Sequence, residues 1–207
     1  MGISIKIITK IPKTDNRKHS CLINDQWVLL KEPKNVLTAI MASIPFMAIN
    51  ALITISIIKT FTTIPFLDTG LILNNLSITI NLIDILGILL ILIIHEFTHL
   101  IFIPDFYRSD KTYAGITYAG GYVYTEEVLT RKRYLIISIA PFFILSIILP
   151  IILGITGTLS PLMIFLILLN SIGSSVDILS MVLVFLQVPA GSHLVCSGNN
   201  TYWKSNS

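Results

Sequence analysis

Four runs of about 20 apolar residues, at 35–58, 82–103, 134–155 and 161–187, constrain this chain more than anything else in it. A helix rises about 1.5 Å per residue, so each run is long enough to cross the roughly 30 Å hydrocarbon core of a bilayer. Composition agrees. Hydrophobic residues make up 54% of the 207 positions and charged residues only 12%, with a mean hydropathy of +0.83, outside the range of soluble domains. The expected fold class is a mainly α-helical membrane protein with four transmembrane helices and a small cytoplasmic β-hairpin between the second and third. The expected organisation is a basic leader (1–34), a four-span domain (35–187) and a tail (188–207).

The connections sort the basic residues unevenly. Seven lie in the leader (Lys6, Lys10, Lys13, Arg17, Lys18, Lys31, Lys34), five in the 104–133 loop (Arg108, Lys111, Arg131, Lys132, Arg133) and one, Lys204, in the tail. Only Lys59 falls on the other side. Under the positive-inside rule this places both termini and the long loop in the cytoplasm, with 59–81 and 156–160 outside. The expected location is a cell membrane of prokaryotic type, with the lipid bilayer as a constant partner. The surplus of Lys and Arg, 14 against 11 acids, is juxtamembrane, and no nucleic-acid partner is expected. The leader is too long and too polar for the n-region of a cleaved signal peptide. Cys21 and Cys196 fall on the reducing side and are expected as free thiols.

Two cytoplasmic pieces read as extended. "ISIKIITKI" in the leader alternates apolar and polar residues, and "KTYAGITYAGGYVYTEE" (111–127) has β-branched and tyrosine-rich arms around Ala119, Gly120 and Gly121, the pattern of a hairpin. The outside segment "LILNNLSITINL" is expected to be re-entrant or interfacial. There is no repeat, heptad array or low-complexity tract.

The second apolar run contains "LLILIIHEFTHLIFIP". Ionisable groups at such depth cost roughly 2.5–3.5 kcal/mol each even on lenient insertion scales, so they mark a partner or a task. His95 and His99, four apart on a helix, project from one face a turn apart and can grip one metal ion. Glu96 is displaced about 100° round the helix, where its carboxylate reaches a metal-activated water without being a ligand. With four His and four Glu in the chain, this pattern arises by chance on the order of 0.0015 times. The bland alternative is three polar groups bonded between helices, which would need three costly groups placed within one turn for packing alone.

A catalytic zinc wants a third protein ligand and an open position. Asp84, eleven residues before His95, lies roughly 16 Å away along its own helix. Asp105, Glu126, Glu127 and His193 sit in loops that would have to fold inward. Asp177 lies inside the fourth run at a compatible depth, in "LLNSIGSSVDILS", with Asn170 and Ser174 on the same face. The small residues Ser171, Gly173, Ser174 and Ser175 are expected to let this helix approach the second one closely. Asn170 is expected to bind substrate backbone, orient the acid, or bond between helices. The hairpin offers a strand edge at Gly121, Tyr122 and Val123 to which an unwound substrate could add. Tyrosines anchoring a loop at the membrane interface are the competing reading.

"WVLLKEP" (27–33), "HEFTH" (95–99), the glycine-tyrosine stretch 113–124, "APF" (140–142), "NSIGSSVDIL" (170–179) and the closing "VPAGSHLV" with "YW" together resemble the zincin peptidases of the DUF3267 type. These are small four-span proteins similar in plan to the site-2 protease class. The resemblance covers most of the chain. It implies His95, His99 and Asp177 as zinc ligands and Glu96 as the catalytic residue. One departure is that Ser171 follows Asn170 and Ile178 follows Asp177, where site-2 proteases carry Asn-Pro and Asp-Gly, which bears on substrate handling.

The expected function is a zinc endopeptidase acting inside the bilayer near its cytoplasmic face, on membrane-spanning segments or membrane-associated peptides. The alternative is a non-catalytic metal-binding scaffold or transporter component, although no intramembrane repeat supports a transporter. A glutamate-based prenyl-protein peptidase lacks its expected acidic pair here. The charge split makes a direct prediction. Single cysteines at Thr14, Lys111 and Ser205 will be shielded from an impermeant thiol reagent applied to intact cells, and one at Asn74 will label. Labelling at Lys111 would invert the orientation.

Overall fold

The computed structural model describes residues 6–7, 16–63, 81–117 and 120–205. In chain order the elements are β1 (Lys6–Ile7), α1 (Asn16–Asn24), β2 (Val28–Leu29), α2 (Val36–Lys59), α3 (Leu82–Ile101), β3 (Thr112–Thr117), β4 (Gly120–Thr125), β5 (Leu129–Thr130) and α4 (Arg131–Pro141). A π-helical stretch, Phe142–Ile148, then leads into α5 (Leu149–Ile155), followed by α6 (Pro161–Gly173), α7 (Ser175–Gln187), β6 (His193–Ser197) and β7 (Asn200–Lys204). Four helical runs are long and apolar enough to cross a membrane: α2, α3, the α4–α5 run Arg131–Ile155 and the α6–α7 run Pro161–Gln187. They agree closely with the apolar runs of the sequence. The proposed re-entrant segment (71–80) and most of the alternating leader lie outside the described residues, save Lys6–Ile7, which pairs in parallel with Tyr113–Ala114.

The hairpin falls where its sequence places it, Thr112 opposite Thr125 through Thr117 opposite Gly120. A second sheet was not expected. Its order is β2-β7-β6-β5, so it joins the leader, the long loop and the tail. Strands of the leader and the tail thus share one sheet. The physical reason is a second hairpin, with Ser197 opposite Asn200 across a Gly198-Asn199 turn in which Gly198 takes φ +59°. Leu30, Val184, Val188 and Leu194 form a buried cluster beneath this sheet, with Tyr134, Leu135 and Trp203 packed on it. The cluster fastens the sheet to α4 and α7. The strands flank the start of α2, the end of α3, the start of α4 and the end of α7, so both sheets gather at one end of the bundle.

The third and fourth runs are not regular helices. Pro141 has no amide to donate back to the Ile137 carbonyl, and the helix widens to i→i+5 bonding from Phe142 until Leu149 bonds Ile144. The fourth run is interrupted at Ser174, whose backbone amide and hydroxyl both bond the Asn170 carbonyl, at 2.9 and 2.8 Å. A new helix starts at Ser175 and carries Asp177 in its first turn.

The sequence places the small residues of the fourth run against the second helix, but the buried polar contacts of Ser171 and Ser175 are made elsewhere. They run to the first. Ser175 donates to Ser43 (3.1 Å), Ser171 bonds Thr54 (2.9 Å), and Asn50 Nδ2 donates to the Ser171 carbonyl (3.2 Å), all buried. Ser43, Asn50 and Thr54 recur at intervals of seven and four, so α2 offers one polar stripe that matches the small stripe of α6–α7. Apolar neighbours on α2 such as Leu37, Met41 and Leu52 are exposed, as lipid-facing positions are. Ser171→Leu, at a fully buried position, will lower unfolding stability by about 1–3 kcal/mol through overpacking. Denaturant unfolding of detergent-solubilised protein measures it, and an unchanged midpoint would remove the seam as a packing determinant.

Candidate metal centre

The one group of three or more metal-ligating side chains among the described residues is His95, His99 and Asp177, whose ligand atoms lie within 4.8 Å of one another. His95 and His99 leave α3 on the same face with ring centroids 5.0 Å apart, and Asp177 reaches them from the first turn of α7. The position at the start of α7 favours a carboxylate, because the unpaired amides of a first turn carry partial positive charge.

Hydrogen bonding fixes which nitrogen each histidine turns to the centre. His99 Nδ1 lies 2.8 Å from the Ile137 carbonyl, which only accepts, so Nδ1 carries the proton. That carbonyl is free because Pro141, four residues on, cannot donate to it. His95 Nδ1 lies 2.9 Å from Asn170 Oδ1. The Asn170 amide nitrogen is engaged elsewhere, donating to Ser146 Oγ (2.9 Å) and to the Pro141 carbonyl (3.3 Å), so its oxygen faces His95 and the imidazole must donate. In a neutral ring each Nε2 is then a lone-pair acceptor. His95 Nε2 is 3.3 Å from one Asp177 oxygen and His99 Nε2 is 3.5 Å from the other.

With both rings neutral, three acceptors converge there, an arrangement suited to a cation. Two ligands of a tetrahedral zinc with arms of about 2.05 Å stand roughly 3.3 Å apart, close to the two nitrogen–oxygen separations, each of which runs to a different Asp177 oxygen. Two imidazoles and one carboxylate also leave a fourth position open. Each histidine donates its remaining N–H to an oxygen behind it, as metal-binding imidazoles do.

Glu96 lies beside this centre and beneath the hairpin. The Val123 backbone stands beside its carboxylate, and both line the same cleft. Gly121 is the position that makes room for it: a Cβ there would lie 2.5 Å from Glu96 Cγ. A polar cleft of about 320 Å³ leads away from the four groups, walled by β4 on one side, by Tyr134 and Ser138 of α4 on another, and by Cys196 and Thr201 of the second sheet. The hairpin is tied to that sheet by Tyr124, whose hydroxyl donates to Glu126 (3.0 Å) and accepts from the Gly198 amide (2.7 Å). Burial and the adjacent Glu126 hold the Tyr124 phenol far above its ordinary pKa, and burial pushes the Cys196 thiol up to about 12. Both stay neutral, so this wall contributes hydrogen bonds rather than charge.

The structure thus brings together His95, Glu96, His99 and Asp177. The loop acids stay away: Glu126 pairs with Lys18 at 2.6 Å, Glu127 accepts from Ser109 at 2.8 Å, and His193 stands opposite Thr130 in the second sheet. Asp84 is spent on the start of α3, accepting from the Asn81 amide. Of the roles expected for Asn170, the bond between helices is the one seen: it is buried, with both ends of its amide committed, and it orients His95. Val123, Tyr122 and Gly121 line the cleft. Sequence reasoning missed Pro141 and Ser146. A proline inside an apolar run was the available signal, because it leaves a carbonyl without its helical donor.

A family model, DUF3267, whose description is "Putative zincin peptidase", matches residues 88–193, just over half of the chain. The matched segment runs from α3 to the first residue of β6 and contains all four groups of the centre. No curated protein and no solved structure matches.

Gly121→Ala will displace Glu96 without touching the three converging acceptors. Metal content measured on the purified variant will stay at the wild-type level while any hydrolytic activity falls by at least about 10²-fold. Loss of metal together with activity would show that Gly121 supports the whole centre rather than Glu96.

Proposed function

Because this chain belongs to the DUF3267 family, we propose that it is a membrane-embedded zinc endopeptidase that hydrolyses peptide bonds of membrane-spanning or membrane-associated substrates near the cytoplasmic face. The observation that carries this reading is the convergence of two imidazole lone pairs and one carboxylate on a single point, with a second carboxylate beside it that is not part of the set. Bound there, zinc would lower the pKa of a water toward about 7 and polarise the substrate carbonyl.

The chain's own groups do the rest. His95, His99 and Asp177 would hold the ion, and Asn170 and the Ile137 carbonyl keep the two imidazoles from turning. Glu96 accepts a proton from the attacking water and returns it to the nitrogen of the departing amine, so the C–N bond breaks with the proton balance closed. Val123 stands beside that carboxylate. An intact helix hides its carbonyls in its own hydrogen bonds, so the substrate must be held extended. β4 is an edge strand, because β3 lies between it and β1, and its outer side faces the cleft. Pairing of unwound substrate along β4 would supply the extended conformation.

The cytoplasmic placement rests on the basic residues, which gather in the leader, long loop and tail that build the two sheets beside the cleft. A metal-binding scaffold with no turnover is the second reading, favoured only in so far as the converging acceptors explain metal binding without hydrolysis. One experiment separates the two. Purified protein will carry about one zinc per chain, lost in His95→Ala, His99→Ala and Asp177→Ala and retained in Glu96→Gln. On a panel of quenched transmembrane peptides in proteoliposomes, Glu96→Gln will cut cleavage by at least about 10² to 10⁴. Equal turnover in wild type and Glu96→Gln would remove the mechanism.

A further inference from the structure

Beside the polar cleft lies a second cavity of about 420 Å³ with almost entirely apolar walls. One wall is the face of α3 that carries Leu89, Leu92, Ile93 and Phe97, and the other is the hairpin at Ala114 and Gly115. The pairing of Ala114 with Val123 places both on the sheet face that Gly121 turns toward Glu96, so the hairpin roofs α3. Roof residues this small leave the space open. Its size lies in the range of about 300–1,000 Å³ typical of small-ligand clefts. On the outer side, Leu89, Ile93 and Phe97 are exposed, and these are positions that meet lipid in a spanning helix.

The groove is continuous with the centre. Glu96, Gly121, Tyr122 and Val123 line both cavities, so the catalytic carboxylate of the proposed mechanism closes the inner end of the apolar groove. We propose that this groove is a specificity pocket that receives a bulky apolar side chain, of leucine or phenylalanine type, from a substrate residue flanking the scissile bond. The inference rests on the endopeptidase reading and adds the class of residue selected. A lipid acyl chain matches the walls equally well, but only a peptide can pair along the β4 edge and place a side chain at the Glu96 end in the same binding event. Continuity with the metal cleft therefore favours the peptide.

The test uses zinc-loaded full-length protein in detergent and succinyl hydroxamates that differ only in the side chain next to the metal-binding group: methyl, isobutyl or benzyl. Binding is read by competition with a fluorescent hydroxamate, which needs no turnover. The isobutyl and benzyl probes will bind at least about tenfold more tightly than the methyl probe, the scale of added methylenes in an apolar pocket. Ala114→Leu fills the groove from the roof and Leu92→Trp from the helix, so failure of one variant to fold leaves the other. In a folded variant the methyl probe will bind as in wild type and the preference for bulk will fall to within about threefold. Equal affinity for all three probes in wild type would leave the groove to lipid and overturn the pocket alone. Failure of every hydroxamate, the methyl one included, would overturn the metal reading and the pocket with it.

Discussion

Two hydrogen bonds behind the histidines, from His99 Nδ1 to the Ile137 carbonyl and from His95 Nδ1 to Asn170, decide what the rest of the structure can be. They fix each ring's tautomer and turn its other nitrogen toward Asp177. Both depend on one proline. Pro141 leaves the Ile137 carbonyl without its helical donor, and the π-helical stretch it begins includes Ser146, whose hydroxyl holds the Asn170 amide together with the Pro141 carbonyl. An irregularity that would be a defect in a plain spanning helix here supplies acceptors to the neighbouring helices. In a medium without water, every such freed carbonyl needs a partner, and two of the partners are the groups that position the metal centre.

The same constraint explains the break in the fourth run. A continuous helix would carry Asp177 as an interior residue with no amides to face. Ser174 turns both its amide and its hydroxyl to the Asn170 carbonyl, so the chain restarts with Asp177 in a first turn, beside unpaired backbone donors. Asn170 and Asp177 are thus coupled through one interruption, the first presenting a side chain to His95 and the second to both histidines. Anchoring of this run falls to α2, whose Ser43, Asn50 and Thr54 hold it by a buried polar seam. The seam leaves the opposite side of α6–α7 free to face α3.

Much of this was legible in the sequence. Run length gave the four helices, the HEFTH spacing gave the shared face of His95 and His99, and depth along the fourth run selected Asp177 over the loop acids. The hairpin followed from its tyrosines and glycines. Inside the bundle, what stayed open or failed shares one cause: the partner of a residue in another helix is set by tertiary packing, and a single chain read in order does not show it. The serines of the fourth run were assigned to the second helix because the histidines are there, although the matching stripe in α2 lay at readable intervals. The role of Asn170 stays open in the sequence because nothing local distinguishes an amide that faces a cleft from one that backs a ligand. The second sheet was missed because β2 and β5 are only two residues long, too short for any period.

A protease inside a bilayer, as proposed for this chain, would have to bring together water and a peptide that avoids water, and the position of Glu96 would address both. Its carboxylate lines the polar cleft that reaches the two sheets and also the apolar groove that opens between α3 and the hairpin. The four residues common to the two cavities form the boundary between them, and three of these belong to β4. Only glycine at 121 keeps that boundary thin, since any side chain there would fill the space that Glu96 occupies. On the endopeptidase reading, water approaches along one side of the carboxylate and the substrate's apolar residue along the other. The backbone between them then lies along β4. This accounts for an edge strand left uncovered beside the cleft, where an unpaired edge would otherwise invite non-specific pairing.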